Sequence, residues 1–336
     1  MDDLLASVQR VASESSFSGV VRVDRGEEIL FEEARGLADR AHALPNTVSM
    51  RFPIASGVKG MTALTVVGLI EEGSLAWDTT ARSVLGSDLP LIDDAVTVEQ
   101  LLAHRSGIGD YLDEDIDRPI TDYVLDVPVH RLTTTEAFLA VLDGYPTKFP
   151  PDERFSYCNG GFVVLALIAE RVGGTPFHEL VRKHVTEPAG MSDTAFHRTD
   201  ELPGDVALNY LFAEGNRTNV LHLPVLGTGD GGISTTLADV HAFWRALFAG
   251  RIVSEASVAE MTRPRSNVPE ESRRYGLGFW LHETGDAVML TGYDAGVSFR
   301  TAHDPTTDVT HTVISNTSEG AWPLVELLDE LLFGDR

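Results

Sequence analysis

The two ends of this chain alternate apolar and polar residues with a period of two, whereas the stretch between them repeats its apolar residues at three and four. Near the start, "SGVVRVDRGEEILFEEARG" (18–36) alternates on both sides of a polar "DRGEE" turn, the pattern of a β-hairpin. Near the end, "YGLGFWLHETGDAVMLTGYDAGVSFRTAHDPTTDVTHTVISN" (275–316) holds three or four short strands separated by "TGD", "TGYDAG" and "DPTTD" turns. Helical spacing marks 61–72, 97–104, 135–142, 161–172, 177–185 and 236–249. "MDDLLASVQRVASE" and "AWPLVELLDELLFG" add an amphipathic helix at each terminus. The expectation is an α/β (α+β) fold, with one antiparallel sheet built from both termini, flanked by helices and interrupted by a large, mostly helical inserted region. Residues 1–55 and 275–336 would form the sheet region and 56–274 the helical region, with an active site at their junction.

Charge narrows the function classes. Asp and Glu number 51 against 26 Lys and Arg, a formal charge of −25, which repels nucleic acid and anionic membranes. A single cysteine, Cys158, excludes an intrachain disulfide and a thiolate metal cluster. The longest apolar run, "FVVLALIA", is too short to span a bilayer, and the acidic N-terminus lacks the positive charge of a signal peptide, so a cytoplasmic protein is expected.

Only three lysines occur, and one of them, Lys59, stands in "FPIASGVKGMTALTVVGLIEEG" among Val58, Met61, Ala63 and Leu64. Exposed lysines normally sit on polar helix faces. If a helix begins near Ser56, Lys59 follows it by three residues on the same face, and burial would favour the neutral amine that accepts a serine proton. Two further stretches could complete a site. In "RFSYCNGGFVVLALIAERVGG", Tyr157 and Asn159 open an apolar helix; a phenol can shuttle a proton and an amide can orient an amine, although a packed Tyr and a capping Asn would read the same. In "LTGYDAGVS", Thr291, Gly292, Tyr293 and Asp294 mark a glycine-containing edge where a substrate could lie against backbone N–H groups, or a plain hairpin turn.

Other motifs lead nowhere. "GTGDGG" (227–232) satisfies Gly-x-Gly-x-x-Gly, but Pro224 precedes it and no strand-helix-strand unit surrounds it, so no dinucleotide site is expected; Thr236 with Asp239 reads as a capping box. His178 and His184 fall on different helix faces, and no metal or cofactor is expected. His104 reads as structural. No Gly-x-Ser-x-Gly elbow occurs.

Taken in order, Ser56-x-x-Lys59, "VTVEQLLAHRSGIGDY", Tyr157-x-Asn159 opening a helix, "GTGDGGISTTLADVHAFWRAL", "YGLGFWL" and Thr291-Gly292 resemble the serine β-lactamase and penicillin-binding-protein superfamily, in particular its class C β-lactamase, DD-peptidase and esterase branch. The resemblance implies Ser56 as the acylated nucleophile and Lys59 as its proton partner. It implies Tyr157 as base in acylation and then acid toward the leaving group, and Asn159 as a positioner of Lys59 and substrate. An oxyanion hole would join the backbone N–H groups of Ser56 and Tyr293.

One departure stands out: the family's third motif usually begins with Lys or His, and here it begins with Leu290. Loss of that cation shifts the expectation from carboxylate-bearing substrates toward small esters, a carboxylesterase-like hydrolase. Asp294 could instead face a substrate ammonium, as a D-amino-acid peptidase or amidase would need. A weak β-lactamase and a penicillin-binding-like module without turnover are the remaining alternatives. All imply a small ester, amide or peptide as the partner, with no nucleic acid and no membrane span.

Overall fold

The computed structural model describes residues 2–116 and 118–334. The N-terminal hairpin forms as its alternation requires: β1 (Gly19–Arg25) and β2 (Glu28–Arg35) turn at Gly26, whose φ of +57° suits glycine. The chain returns to this sheet only near its end, through β3 (Ser266–Val268), β4 (Arg273–Tyr275), β5 (Trp280–His282), β6 (Val288–Asp294), β7 (Val297–Asp304) and β8 (Val309–Ser315). β8 pairs antiparallel with β1, from Gly19 opposite Ser315 to Arg25 opposite Val309, giving the order β2-β1-β8-β7-β6-β5-β4-β3. Both termini therefore build one antiparallel sheet, as the sequence predicts. The sheet also recruits β3 and the start of β4, which lie upstream of residue 275.

Side-chain alternation sends successive residues to opposite faces. Val21, Val23 and Val313 pack under the two terminal helices, α1 (Asp2–Glu14) and α5 (Trp322–Phe333). Val20, Ile314 and Phe299 face the larger core, which holds α2 (Val58–Glu71), α3 (Asn159–Gly173) and α4 (Leu237–Phe248). Every residue of α2 from Val58 to Leu69 is buried, so this helix is enclosed on all sides rather than amphipathic.

The "TGYDAG" turn is shorter than its composition suggests. Thr291 to Asp294 continue β6, paired with Val297 to Arg300 of β7, and only Ala295 and Gly296, with φ +79° at the glycine, make the reversal. At the head of α4, Thr236 accepts the N–H of Asp239 as a cap. Asp239 does not close a capping box: its carboxylate accepts from the Asp193 N–H and the Thr194 hydroxyl.

Among the described residues no single helix is long and apolar enough to cross a membrane.

Candidate active site

Ser56 sits one turn ahead of α2, in a 3-10 turn (Ala55–Gly57) rather than in the α-helix itself. The turn is clamped by the Gly57 N–H on the Ile54 carbonyl (2.8 Å) and the Ile54 N–H on the Ile233 carbonyl (3.1 Å). Ala55 is held at φ +44°, a left-handed conformation that costs a residue with a Cβ about 1–3 kcal/mol and that persists because the surroundings impose it. The tight turn brings residues three apart into register. Lys59 Nζ consequently lies 2.7 Å from Ser56 Oγ.

Two other acceptors complete the lysine's surroundings: Asn159 Oδ1 at 2.9 Å and the Asp230 carbonyl at 3.1 Å. Neither can donate through that atom, so each fixes one N–H and leaves the third direction of Nζ pointing at the Ser56 hydroxyl. Lys59 is 2% exposed, and burial lowers its pKa against the opposing pull of Asp230, Glu114, Asp110 and Asp294. A neutral amine would keep its two N–H bonds and accept the serine proton on its lone pair.

Asn159 opens α3, and its place is set by Asp110. The Asp110 carboxylate accepts the backbone N–H of Asn159 (2.6 Å), of Gly160 (2.9 Å) and of Leu112 (3.3 Å). Burial nevertheless pushes the Asp110 carboxyl up to about 7, against these three donors. The Asn159 amide also donates to the Leu112 carbonyl and to Glu114 (both 3.1 Å), which fixes Oδ1 as the atom facing Lys59.

Tyr157 completes the cluster from the loop before α3. Lys59 Nζ lies 5.0 Å from its ring centroid, and the ring packs tilted by 34° against His104 (4.2 Å between centroids) and stacks on Trp280 (6.0 Å). His104 is buried, kept neutral by desolvation, and accepts the Cys158 N–H at 3.0 Å, so it holds the backbone between Tyr157 and Asn159. Burial and the Glu114 carboxylate hold the Tyr157 phenol well above its ordinary pKa, while a hydrogen bond with Ser56 pulls the other way.

β6 supplies the opposite wall. β5 pairs only with Val288 and Met289, so Thr291 to Asp294 have β7 on one side and the Ser56 turn on the other. A Cβ at Gly292 would lie 2.0 Å from the Ile54 carbonyl oxygen, and glycine alone permits this approach. Leu290, where the family resemblance expects a cation, is 4% exposed and packs against Gly60 of α2.

Ser56 and Tyr293 stand between two cavities. The first, about 350 Å³, is lined by Asn159, Asp230, Asp294 and a set of apolar side chains from 202–224. The second, about 500 Å³, is lined by Tyr157, Trp280, Thr291, Arg273 and Arg300. Asp294 is half-buried, and desolvation together with the neighbouring Asp230 raises it to about 7. Thr291 Oγ accepts from Arg300 Nε (3.1 Å), and Arg300 is paired with Asp329 of α5 (2.7 Å). Among the described residues the ion partner of Arg273 is Glu271 at 3.7 Å, and its guanidinium lies 5.8 Å from the Trp280 ring centroid.

The cluster thus joins Ser56, Lys59, Tyr157 and Asn159, with Thr291, Gly292, Tyr293 and Asp294 along one edge. Sequence reasoning assigned no role to Asp110, Asp230, Arg273 or Arg300. Asp110 is the next-to-last residue of "VTVEQLLAHRSGIGDY", and Asp230 lies inside the "GTGDGG" set aside as a nucleotide motif; Arg273 and Arg300 had no signal.

The family model described as Beta-lactamase matches residues 7–332. The chain belongs to the beta-lactamase family. The penicillin binding protein from Bacillus halodurans, a solved structure, is 35% identical, with a TM-score of 0.90 over 97% of this chain and 100% of that one. D-aminopeptidase of Brucella anthropi is 28% identical over 82% of this chain and 51% of its own, and Esterase EstB of Burkholderia gladioli 32% over 53% and 46%. The chain spans just under two thirds, 64% and 65%, of the lengths of two Bacillus subtilis penicillin-binding proteins that it also matches. It is a member of a serine-hydrolase family whose relatives carry peptidase, esterase and penicillin-binding names.

Proposed function

We propose that this beta-lactamase-family chain hydrolyses small esters through an acyl-enzyme on Ser56. The observation that carries the reading is the buried Lys59 amine 2.7 Å from the Ser56 hydroxyl, with its two other directions occupied by acceptors. Lys59, whose neutral form is favoured by burial, takes the Ser56 proton as Oγ attacks the carbonyl carbon. The oxyanion is met by the backbone N–H groups of Ser56 and Tyr293. Tyr157, kept as a neutral phenol, gives its proton to the departing oxygen and regains one from the Lys59 ammonium. Water then attacks the acyl carbonyl by the same proton steps in reverse order of roles, freeing the acid and Ser56.

The absence of a cation at Leu290 supports esters over substrates recognised by a carboxylate at that point. A second reading, a D-amino-acid peptidase or amidase, is favoured by Asp294, which lines the first cavity beside Ser56 and could receive an ammonium. Intact mass spectrometry after a fluorophosphonate probe, with Ser56→Ala as control, tests the nucleophile; repeated turnover of p-nitrophenyl acetate against D-alanyl p-nitroanilide separates the two readings. Label retained by Ser56→Ala would discard the mechanism.

A further inference from the structure

The two cavities beside Ser56 differ in chemistry, and the proton path decides which end of a substrate each receives. A group that protonates the leaving atom must lie within hydrogen-bond reach of it. Tyr157 lines the second cavity and not the first. The leaving group is therefore directed to the side of Tyr157, Trp280 and Arg273, and the acyl group to the first cavity. That cavity is walled by Leu112, Leu202, Leu208, Val220, Leu223 and Pro224, all only half-buried. Half-covered apolar side chains converging on a nucleophile are what an apolar guest completes. Its lining also includes Ser56, Asp230 and Asp294, the two carboxylates interacting electrostatically with the Lys59 that is bonded to Ser56, and no arginine is among its described lining residues.

Resting on the acyl-enzyme reading above, we infer that the first cavity is an acyl-chain chamber, selecting esters of medium-length apolar acids and rejecting acyl groups that carry a carboxylate near the scissile carbonyl. Each methylene moved from water into the chamber should raise kcat/KM, by about threefold to fourfold where burial is complete.

The test is kcat/KM for p-nitrophenyl acetate, butyrate, hexanoate, octanoate and the succinate half-ester, in the wild type, Val220→Trp and Leu223→Trp. The expected result is a rise from acetate to octanoate of at least a hundredfold, a succinate half-ester at least tenfold below butyrate, and an octanoate-to-acetate ratio cut at least tenfold in either tryptophan variant. A flat or falling profile in the wild type overturns the inference whether or not the variants fold. An unchanged ratio in both folded variants overturns it too. Acylation of Ser56 with a flat profile removes this inference alone, whereas no acylation of Ser56 by any of these esters removes the underlying reading with it.

Discussion

Gly292 of β6 lies so close to Ile54 that a Cβ added to it would sit 2.0 Å from the Ile54 carbonyl oxygen and 3.1 Å from the Gly57 nitrogen. Strand and 3-10 turn are thus in backbone contact on either side of Ser56. The Gly292→Ala variant must part them by a fraction of an ångström or more. Displacements of that order at reacting groups cost about a hundredfold in rate, so kcat/KM for p-nitrophenyl acetate should fall about that much. Wild-type activity in a folded Gly292→Ala variant would show that the contact does not set the site.

The opposite pKa directions of Lys59 and Tyr157 separate their roles. On the proposed mechanism Lys59→Ala removes the proton acceptor and should slow acylation about 10²–10⁴-fold for every ester. Tyr157→Phe should discriminate. A p-nitrophenolate leaves without a proton, so the loss should be small for nitrophenyl esters and approach that of Lys59→Ala for methyl or ethyl esters. Equal losses on both ester classes in stopped-flow acylation would remove the phenol from the leaving-group step.

Asp294 ties pH to stability. Its folded pKa is raised from 3.8 to about 7, so between these values the folded chain keeps a proton that the unfolded chain releases. Stability from this group is greatest below pH 3.8 and falls as pH rises toward 7. Asp294→Asn lacks that fall, so its stability relative to wild type should increase from pH 4 to pH 8, measured by urea unfolding. A difference independent of pH would contradict the raised pKa. The same group should favour D-alanyl over acetyl esters only as pH rises through 7, when the carboxylate appears.

Asp110 acts on the site at one remove. Asp110→Ala leaves the N–H groups of Asn159 and Gly160 without their acceptor, a capping loss of about 0.5–2 kcal/mol. Because Asn159 Oδ1 holds Lys59, the loss should appear in kcat rather than in KM and shift the acid limb of the kcat profile. Asp110→Asn, which keeps one acceptor, should recover part of both. A stability loss with unchanged kinetics would make Asp110 a cap and nothing more.

The fold was readable because both strand regions alternate cleanly and the middle does not. Ser56 and Lys59 were readable because a cation among apolar neighbours contradicts its own solvation. Asp230 was not, since its backbone carbonyl, not its side chain, reaches Lys59, and no residue pattern encodes a carbonyl's direction. Asp110 meets Asn159 across 49 residues of sequence, a pairing that only the fold creates. The "TGYDAG" stretch misleads because Gly and Asp signal turns locally; seven paired positions between β6 and β7 outweigh that preference and leave only Ala295 and Gly296 to bend. The helix expected over 177–185 shows the same override, with a π-turn over Arg182–Thr186 interrupting it.

The pairing of Gly19 with Ser315 has a consequence for the chain during its synthesis. Ser56 and Lys59 leave the ribosome more than 200 residues ahead of the strand bearing Gly292 and Tyr293 and of the β8 segment that ties the sheet to the first hairpin. A stalled or prematurely ended product would carry the serine and the amine without the wall that makes them a site. Reactivity toward an acylating probe should thus arrive only once β6 and β8 have emerged and paired, not with Ser56 and Lys59 themselves.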